Sequence, residues 1–393
     1  MNILILSPFL PFPEDNGSKI RVMNFIKALQ GHNIYLVSFY ERENEIVGRE
    51  LKEICSEVYT FKKPEISKLA VFLNHFSLRP LLSYRFYTKD VDEFIKSIVE
   101  KYKINVILTE ALLMAEYARN IKGIYRILDA HNIEFIRAFR RIEKTKNIFK
   151  KIYYFLIYFR LKNYELRVIQ EFEGCFVCSQ IDRNVIKKYL PYKEPIVIPN
   201  AVDVQYFKPQ NKESISKKIV FLGTLWYEPN LDAVKFFIDE IFPLVKEKFK
   251  DIEFWVLGEG VPSDFKRHSE KKDIVFTGYV DDVRTYLNES LIFVAPLRMG
   301  SGTRFKILTA MAMGLPVVST TVGCEGLEVR DRENICIADN PVDFANAIIK
   351  LIEDNDFREN IIKNGKEFVE KRYSREIVMD QIKRIFNDPS FKI

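Results

Sequence analysis

Two glycines, a threonine and two cations are crowded into Gly300-Ser301-Gly302-Thr303-Arg304-Phe305-Lys306, between an apolar strand at 291–295 and an apolar helix that Gly314 and Pro316 close. Glycines let a backbone approach a ligand closely, and the free N–H groups of a helix start attract anions. Arg304 and Lys306 sharpen the reading. Cations in a first helical turn oppose the helix dipole at a cost of about a few tenths of a kcal/mol each, a sign that reverses once an anion sits there. Gly300, Ser301, Gly302 and Thr303 would then line a phosphate site. A glycine turn with solvated cations is the plainer alternative, and it leaves the two cations without a reason. A dinucleotide-binding motif is missing, because the first strand ends in Ser7-Pro8-Phe9-Leu10-Pro11 with no G-x-G-x-x-G, and there is no P-loop lysine.

A second group of reactive side chains lies in the first half. The strand Tyr125–Ala130 ends at His131-Asn132-Ile133-Glu134, which puts a histidine at the C-terminal end of a strand. The alternative is a helix-capping turn with Asn132 as the cap and His131 a bystander. Glu110, after the strand at 104–109, and Gly17, after the first strand, belong to loops on the same edge. Glu110 and Asn132 are candidates for binding hydroxyls of a ligand, the acceptor in any group transfer, with a solvated carboxylate the competing reading of Glu110. The five cysteines, at 55, 175, 178, 324 and 336, include one C-x-x-C, Cys175 and Cys178. No second pair completes a zinc site, and Gly-Cys-Phe-Val-Cys-Ser reads as a buried strand with small apolar thiols.

Residues 137–168 hold ten Lys or Arg against Glu143 and Glu165, interleaved with Phe139, Phe149, Tyr153, Tyr154, Phe155, Tyr158 and Phe159. Cations and rings at helical spacing suit an anionic membrane surface, or else a core-packing helix with a solvated basic face. Over the whole chain the excess is mild, 60 Lys and Arg against 54 Asp and Glu. With no base-reading motif beside the charge, nucleic acid is not expected as a partner. The opening Met1-Asn2-Ile3-Leu4-Ile5-Leu6-Ser7-Pro8 reads as a core strand rather than a signal, and a cytoplasmic setting, peripheral to the inner membrane face, is the expectation.

The elements that must position these residues alternate. Short β-branched runs at 2–7, 33–39, 104–109, 125–129, 174–178 and 195–198, then at 217–223, 252–257, 274–277, 291–295, 316–319 and 334–338, are separated by longer segments of helical period. Parallel strands need such crossovers, so the pattern predicts an α/β chain of two doubly wound, Rossmann-like domains facing a central cleft. The polar, proline-bearing stretch 208–214 is the expected linker, giving domains at 1–207 and 208–370 and a C-terminal helix at 371–393 that packs back on the first domain.

The run Gly300–Thr320 followed by Gly323-Cys324-Glu325-Gly326-Leu327 resembles retaining glycosyltransferases of the GT-B fold, family four (glycosyl transferases group 1), in their Gly-Thr-Arg-x-Lys subgroup. Ile198-Pro199-Asn200-Ala201-Val202-Asp203, Gly223-Thr224-Leu225 with Pro229-Asn230, and Phe276-Thr277-Gly278-Tyr279-Val280 extend the resemblance over nearly the whole chain. It implies a nucleotide-sugar co-substrate held mainly by the C-terminal domain, a glycan or lipid-linked acceptor held mainly by the N-terminal one, and transfer without a metal or other cofactor. It further implies that Arg304 and Lys306 neutralise the leaving diphosphate, that His131 contacts the donor sugar, and that Gly17, Gly223 and Thr224 lie by the phosphates. Gly278, Tyr279 and Val280 would border the base. Two glutamates common in the family stand here as Ser301 and Thr309. The second would grip the ribose, and its loss removes a charge-assisted hydrogen bond of about 1.5–3 kcal/mol. A non-catalytic nucleotide-sugar-binding relative and a nucleotide-sugar epimerase are the competing readings.

Overall fold

The computed structural model describes residues 1–41, 47–65, 67, 80–210, 216–262, 265, 272–300 and 302–388. Ser301 and part of the expected linker therefore lie outside the described residues. The chain divides into two compact units, Met1–Asn200 with Val378–Ile393, and Ala201–Ile377. The division falls at Asn200 and Ala201, ahead of the polar stretch at 208–214, because Val202 already pairs with the second unit through Tyr373.

The first unit is built on seven parallel strands: β1 Asn2–Ser7, β2 Asn33–Tyr40, β3 Glu57–Lys62, β4 Val106–Glu110, β5 Tyr125–Ala130, β6 Gly174–Val177 and β7 Ile196–Val197. Their order is β3-β2-β1-β4-β5-β6-β7. Ile3 is in register with Ile34 on one side and Val106 on the other, so the chain reverses direction across the sheet between β1 and β4. That reversal opens a crevice at the strands' carboxyl ends, the place where doubly wound sheets take ligands. Ile20, Met23 and Ile26 of the helix Gly17–Ala28, with Leu29 at its C-cap, recur every three residues as one apolar face and are buried, but so are Arg21, Val22, Asn24 and Phe25. This helix is covered on nearly all sides, which the three-residue spacing alone does not indicate. β3 is the strand missed by the sequence reading. It is an edge strand with only Val58, Tyr59 and Phe61 to offer, all half-buried, so it lacks the continuous apolar run of the central strands.

In the second unit the six parallel strands β8 Lys218–Leu222, β9 Glu253–Leu257, β10 Ile274–Gly278, β11 Ile292–Ala295, β12 Val317–Ser319 and β13 Cys336–Ile337 run in the order β10-β9-β8-β11-β12-β13. The reversal point here is between β8 and β11. Phe237 packs on Phe254 with ring centroids 4.4 Å apart and planes tilted by 41°, and it meets Phe344 edge-on at 6.2 Å, tying helices to one face of the sheet. Burying each such ring stabilises the unit by about 1.5–3 kcal/mol.

All five cysteines are buried free thiols. Cys178 donates to the His131 carbonyl oxygen at 3.4 Å, and burial pushes its thiol up to about 12, which suits a packed side chain rather than a nucleophile. Among the described residues no helix is long and apolar enough to cross a membrane.

Candidate functional site

On the second unit the loops that follow β8, β9, β10 and β11 are neighbours, because those strands are adjacent in the sheet. β11 ends at Ala295, and the helix Phe305–Ala312 begins with Arg304 as its cap residue and no side-chain cap of its own. No side chain therefore caps this first turn, in which the Ile307 N–H bonds the Arg304 carbonyl at 3.0 Å. Gly300 has φ +107°, and a Cβ there would lie 2.6 Å from an Arg304 terminal nitrogen, so the turn closes on the guanidinium only because it is glycine. Arg304 is buried, and its Nη2 donates to the Met299 carbonyl at 3.4 Å. Gly302 also has positive φ, and Thr303 is half-buried beside it.

Lys306 reaches back across the reversal point. Its Nζ donates to Asn230 Oδ1 at 2.8 Å and lies 4.3 Å from the Phe221 ring centroid. Burial, and then the charge of Arg304, lower its ammonium to about 7. No carboxylate pairs with it among the described residues. Gly223 ends β8 so close to this group that a Cβ would stand 2.6 Å from both Lys306 Nζ and Asn230 Nδ2. Asn230 Nδ2 in turn donates to the Thr224 carbonyl at 2.8 Å. Asn230 is thus a site residue that the sequence reading quoted only as part of a motif. A neutral amide after a proline carries no sign of charge or spacing that marks it as a lysine's partner.

Gly278 closes β10 with φ +69°, and its carbonyl accepts from Gly258 N–H at 3.1 Å. Tyr279 is 66% exposed beyond it and Val280 is half-buried, so this corner presents one aromatic ring to solvent. Thr309 is placed differently from the other candidates. It is fully buried in the helix Phe305–Ala312, and its hydroxyl has no hydrogen-bond partner among the described residues.

On the first unit Glu110, Asp129 and His131 converge at the ends of β4 and β5. The His131 Nε2–H donates to Glu110 Oε2 at 2.8 Å and lies 3.2 Å from Asp129 Oδ2. Arg21, from the helix Gly17–Ala28, grips Asp129 with two bonds of 2.6 Å and reaches the Ile198 carbonyl at 2.7 Å. Burial opposes the imidazolium, but bonds to Asp129 and Glu110 outweigh it and raise His131 to about 9. Burial and the Asp129 charge raise Glu110 to about 7. Burial alone would raise Asp129; the Arg21 guanidinium wins and holds it well below the usual range. The three could ligate a cation by spacing, yet Arg21 already takes both Asp129 oxygens and supplies the positive charge. The alternative of Glu110 as a solvated carboxylate is thereby excluded, since it is fully buried.

The capping alternative for Asn132 also fails. Ile133 holds the cap position of the helix Glu134–Lys144, and Glu165, from the helix Ile148–Glu171, accepts from the Glu134 and Phe135 N–H groups at 3.0 and 2.9 Å. Asn132 sits half-buried beside His131 in that turn. Gly17 opens its helix behind Asn16, whose side chain takes the Ser18 and Lys19 N–H groups at 3.1 Å, the two donors nearest to it.

Residues 216–354 match the family model described as Glycosyl transferases group 1. The second unit therefore carries a glycosyl transferases group 1 domain, and the two-unit architecture is the GT-B fold. Along its length the chain is similar to an uncharacterized 44.6 kDa protein in the cps region of Klebsiella pneumoniae, 23% identical with 97% of this chain and 98% of that protein covered. It is 30% identical over 129 residues to the capsular polysaccharide biosynthesis glycosyltransferase CapM of Staphylococcus aureus, covering 32% of this chain and 33% of CapM. Among solved structures it resembles sucrose-phosphate synthase from Thermosynechococcus elongatus, with a TM-score of 0.77, 15% identity and the whole of both chains covered. It also resembles HepE of Anabaena in complex with UDP, with a TM-score of 0.72, 13% identity and 98% and 99% covered. Both carry the same pair of parallel-sheet, Rossmann-like units.

Proposed function

We propose that this chain is a glycosyltransferase that moves a sugar from a nucleoside diphosphate sugar to a glycan or lipid-linked acceptor, with retention of anomeric configuration and without a metal, in the synthesis of a surface polysaccharide. The observation that carries the reading is the pair Arg304 and Lys306 at an uncapped helix start, against a glycine loop with no room for a side chain. A leaving diphosphate is stabilised by cations fixed in place before it forms, the role a divalent metal plays elsewhere. A lysine lowered to about 7 regains its proton when that anion arrives, so the charge is strongest when it is needed. On the other unit the His131 imidazolium, locked by two carboxylates, is a hydrogen-bond donor suited to a sugar hydroxyl. The HepE complex with UDP and the capsule role in the CapM name support the donor and pathway class.

Thermal shift against a panel of nucleoside diphosphates, followed by transfer assays with the matching sugar nucleotides, tests it. Arg304→Ala and Lys306→Ala should each weaken diphosphate binding by about tenfold to a hundredfold. Unchanged affinity refutes the site. NMR of the product's anomeric proton tests retention, and activity in excess chelator tests metal independence.

Thr309 favours a second reading, that of a nucleotide-sugar binder without turnover, because a buried threonine offers the ribose no carboxylate. Binding of a donor with neither transfer nor hydrolysis would support it, and transfer by the native chain excludes it.

A further inference from the structure

The helix Ile148–Glu171 is apolar on two opposite sides. Its second half buries Leu161, Tyr164, Val168 and Ile169 against the first unit's core, as an amphipathic helix should. Its first half leaves a separate apolar stripe in solvent: Ile148, Phe149, Ile152, Phe155, Leu156 and Phe159 are all more than half exposed, Phe149 at 79%. At 3.6 residues per turn these six fall on one side of the helix, about three turns long. Leaving that much apolar surface in water is costly, and contiguous patches of this kind mark interaction sites.

Charge decides what covers it. From Lys144 to Tyr164 the sequence holds no acidic residue, while Lys146, Lys150, Lys151, Arg160 and Lys162 are distributed along it. On the helical projection Lys151 borders one edge of the stripe and Arg160 the other, while Lys150 lies on the far side of the helix. Lys146, Lys150 and Lys151 are exposed and make no ion pair with a described residue. A second copy of the chain laid on this face would bring two strongly positive surfaces together. A partner helix would need an acidic rim to match. A bilayer with anionic headgroups meets both demands, with rings and aliphatic side chains entering the acyl boundary and lysines meeting phosphates. The helix is too polar to cross, which fits a segment lying in the interface plane.

We propose that the stripe Ile148–Phe159, with its flanking cations, docks the protein on an anionic lipid surface. The claim rests on this face alone and stands or falls independently of the reaction assigned above.

Cosedimentation of the full chain with phosphatidylglycerol-containing vesicles, compared with pure phosphatidylcholine vesicles, tests it. The wild-type chain should bind the anionic vesicles and be released by salt. The triple variant Phe149→Ser/Phe155→Ser/Phe159→Ser and the double variant Lys146→Glu/Lys151→Glu should each bind at least about tenfold more weakly, with thermal midpoints unchanged because none of these side chains packs in the core. Undiminished vesicle binding by both variants overturns the proposal. So does sedimentation equilibrium showing a lipid-free dimer that the triple variant converts to monomer while the wild type ignores vesicles.

Discussion

Asn230 Oδ1 lies 2.8 Å from Lys306 Nζ, and the same amide's nitrogen donates to the Thr224 carbonyl at 2.8 Å, so one neutral side chain ties the helix start to the glycine loop on the other side of the reversal point. Neutrality matters here. A carboxylate at this place would hold the ammonium as well but would compete with the diphosphate proposed to bind there.

Asn230→Asp is therefore expected to be worse than Asn230→Ala. Calorimetric titration with the diphosphate that binds the wild type should show a loss of about 1.5–3 kcal/mol for Asp and a smaller one for Ala. An Asp variant that binds as tightly as wild type would show that Lys306 does not meet the phosphates.

The pH dependence of that binding follows from Lys306. In the free chain its ammonium is lowered to about 7, so below this pH the cation is already present. Above it, binding must draw a proton from solution, and affinity falls as pH rises. Titrations at pH 8 in buffers of different ionisation enthalpy should report proton uptake that fades at pH 6.

Removing the lysine should stabilise the protein while disabling it. The folded chain disfavours the ammonium relative to the unfolded one, so Lys306 weakens the fold below about pH 7 and this penalty is relieved as pH rises towards the ordinary lysine range. At neutral pH Lys306→Met is expected to raise the thermal midpoint by about 2–4 °C and to abolish diphosphate binding.

His131 titrates upward because of its carboxylates, chiefly against the opposing effect of burial. Glu110→Gln removes one of them and should move the His131 midpoint down from about 9 by a unit or more, read from imidazole carbon shifts in NMR. A midpoint unchanged by the substitution would mean that Asp129 alone sets it.

Thr309→Val tests the position where the family resemblance expects a ribose contact. The hydroxyl is buried and without a partner, so replacing it with a methyl of similar shape should stabilise by about 1 kcal/mol and leave nucleotide affinity unchanged. A drop in affinity would place the hydroxyl in the nucleotide's reach.

The alternation of strands and helices made both sheets legible in the sequence, and the glycines with Arg304 and Lys306 marked the candidate loop, because buried parallel strands and helix starts leave local signatures. Arg21 and Asp129 left none. Their pairing at 2.6 Å joins residues 108 apart in sequence, and each alone reads as an ordinary charge in a helix or strand. Glu165 escaped for the same reason: its partners are backbone N–H groups of another helix. Thr309 was assigned from the resemblance, which fixes a position in a motif and not the depth at which its side chain sits.

Residues 378–388 complete the first unit, with Gln381 donating to the Val197 carbonyl at 2.7 Å and Phe386 meeting Phe176 edge-on at 6.2 Å. On a ribosome, the first unit's sheet is therefore synthesised long before the segment that covers β6. Phe176 and its neighbours must wait, exposed, while all of the second unit is translated, which makes this face a natural binding site for chaperones on the nascent chain. A chain cut after Ile377 would be expected to lose solubility through its N-terminal unit, although every residue removed lies at the opposite end of the polypeptide.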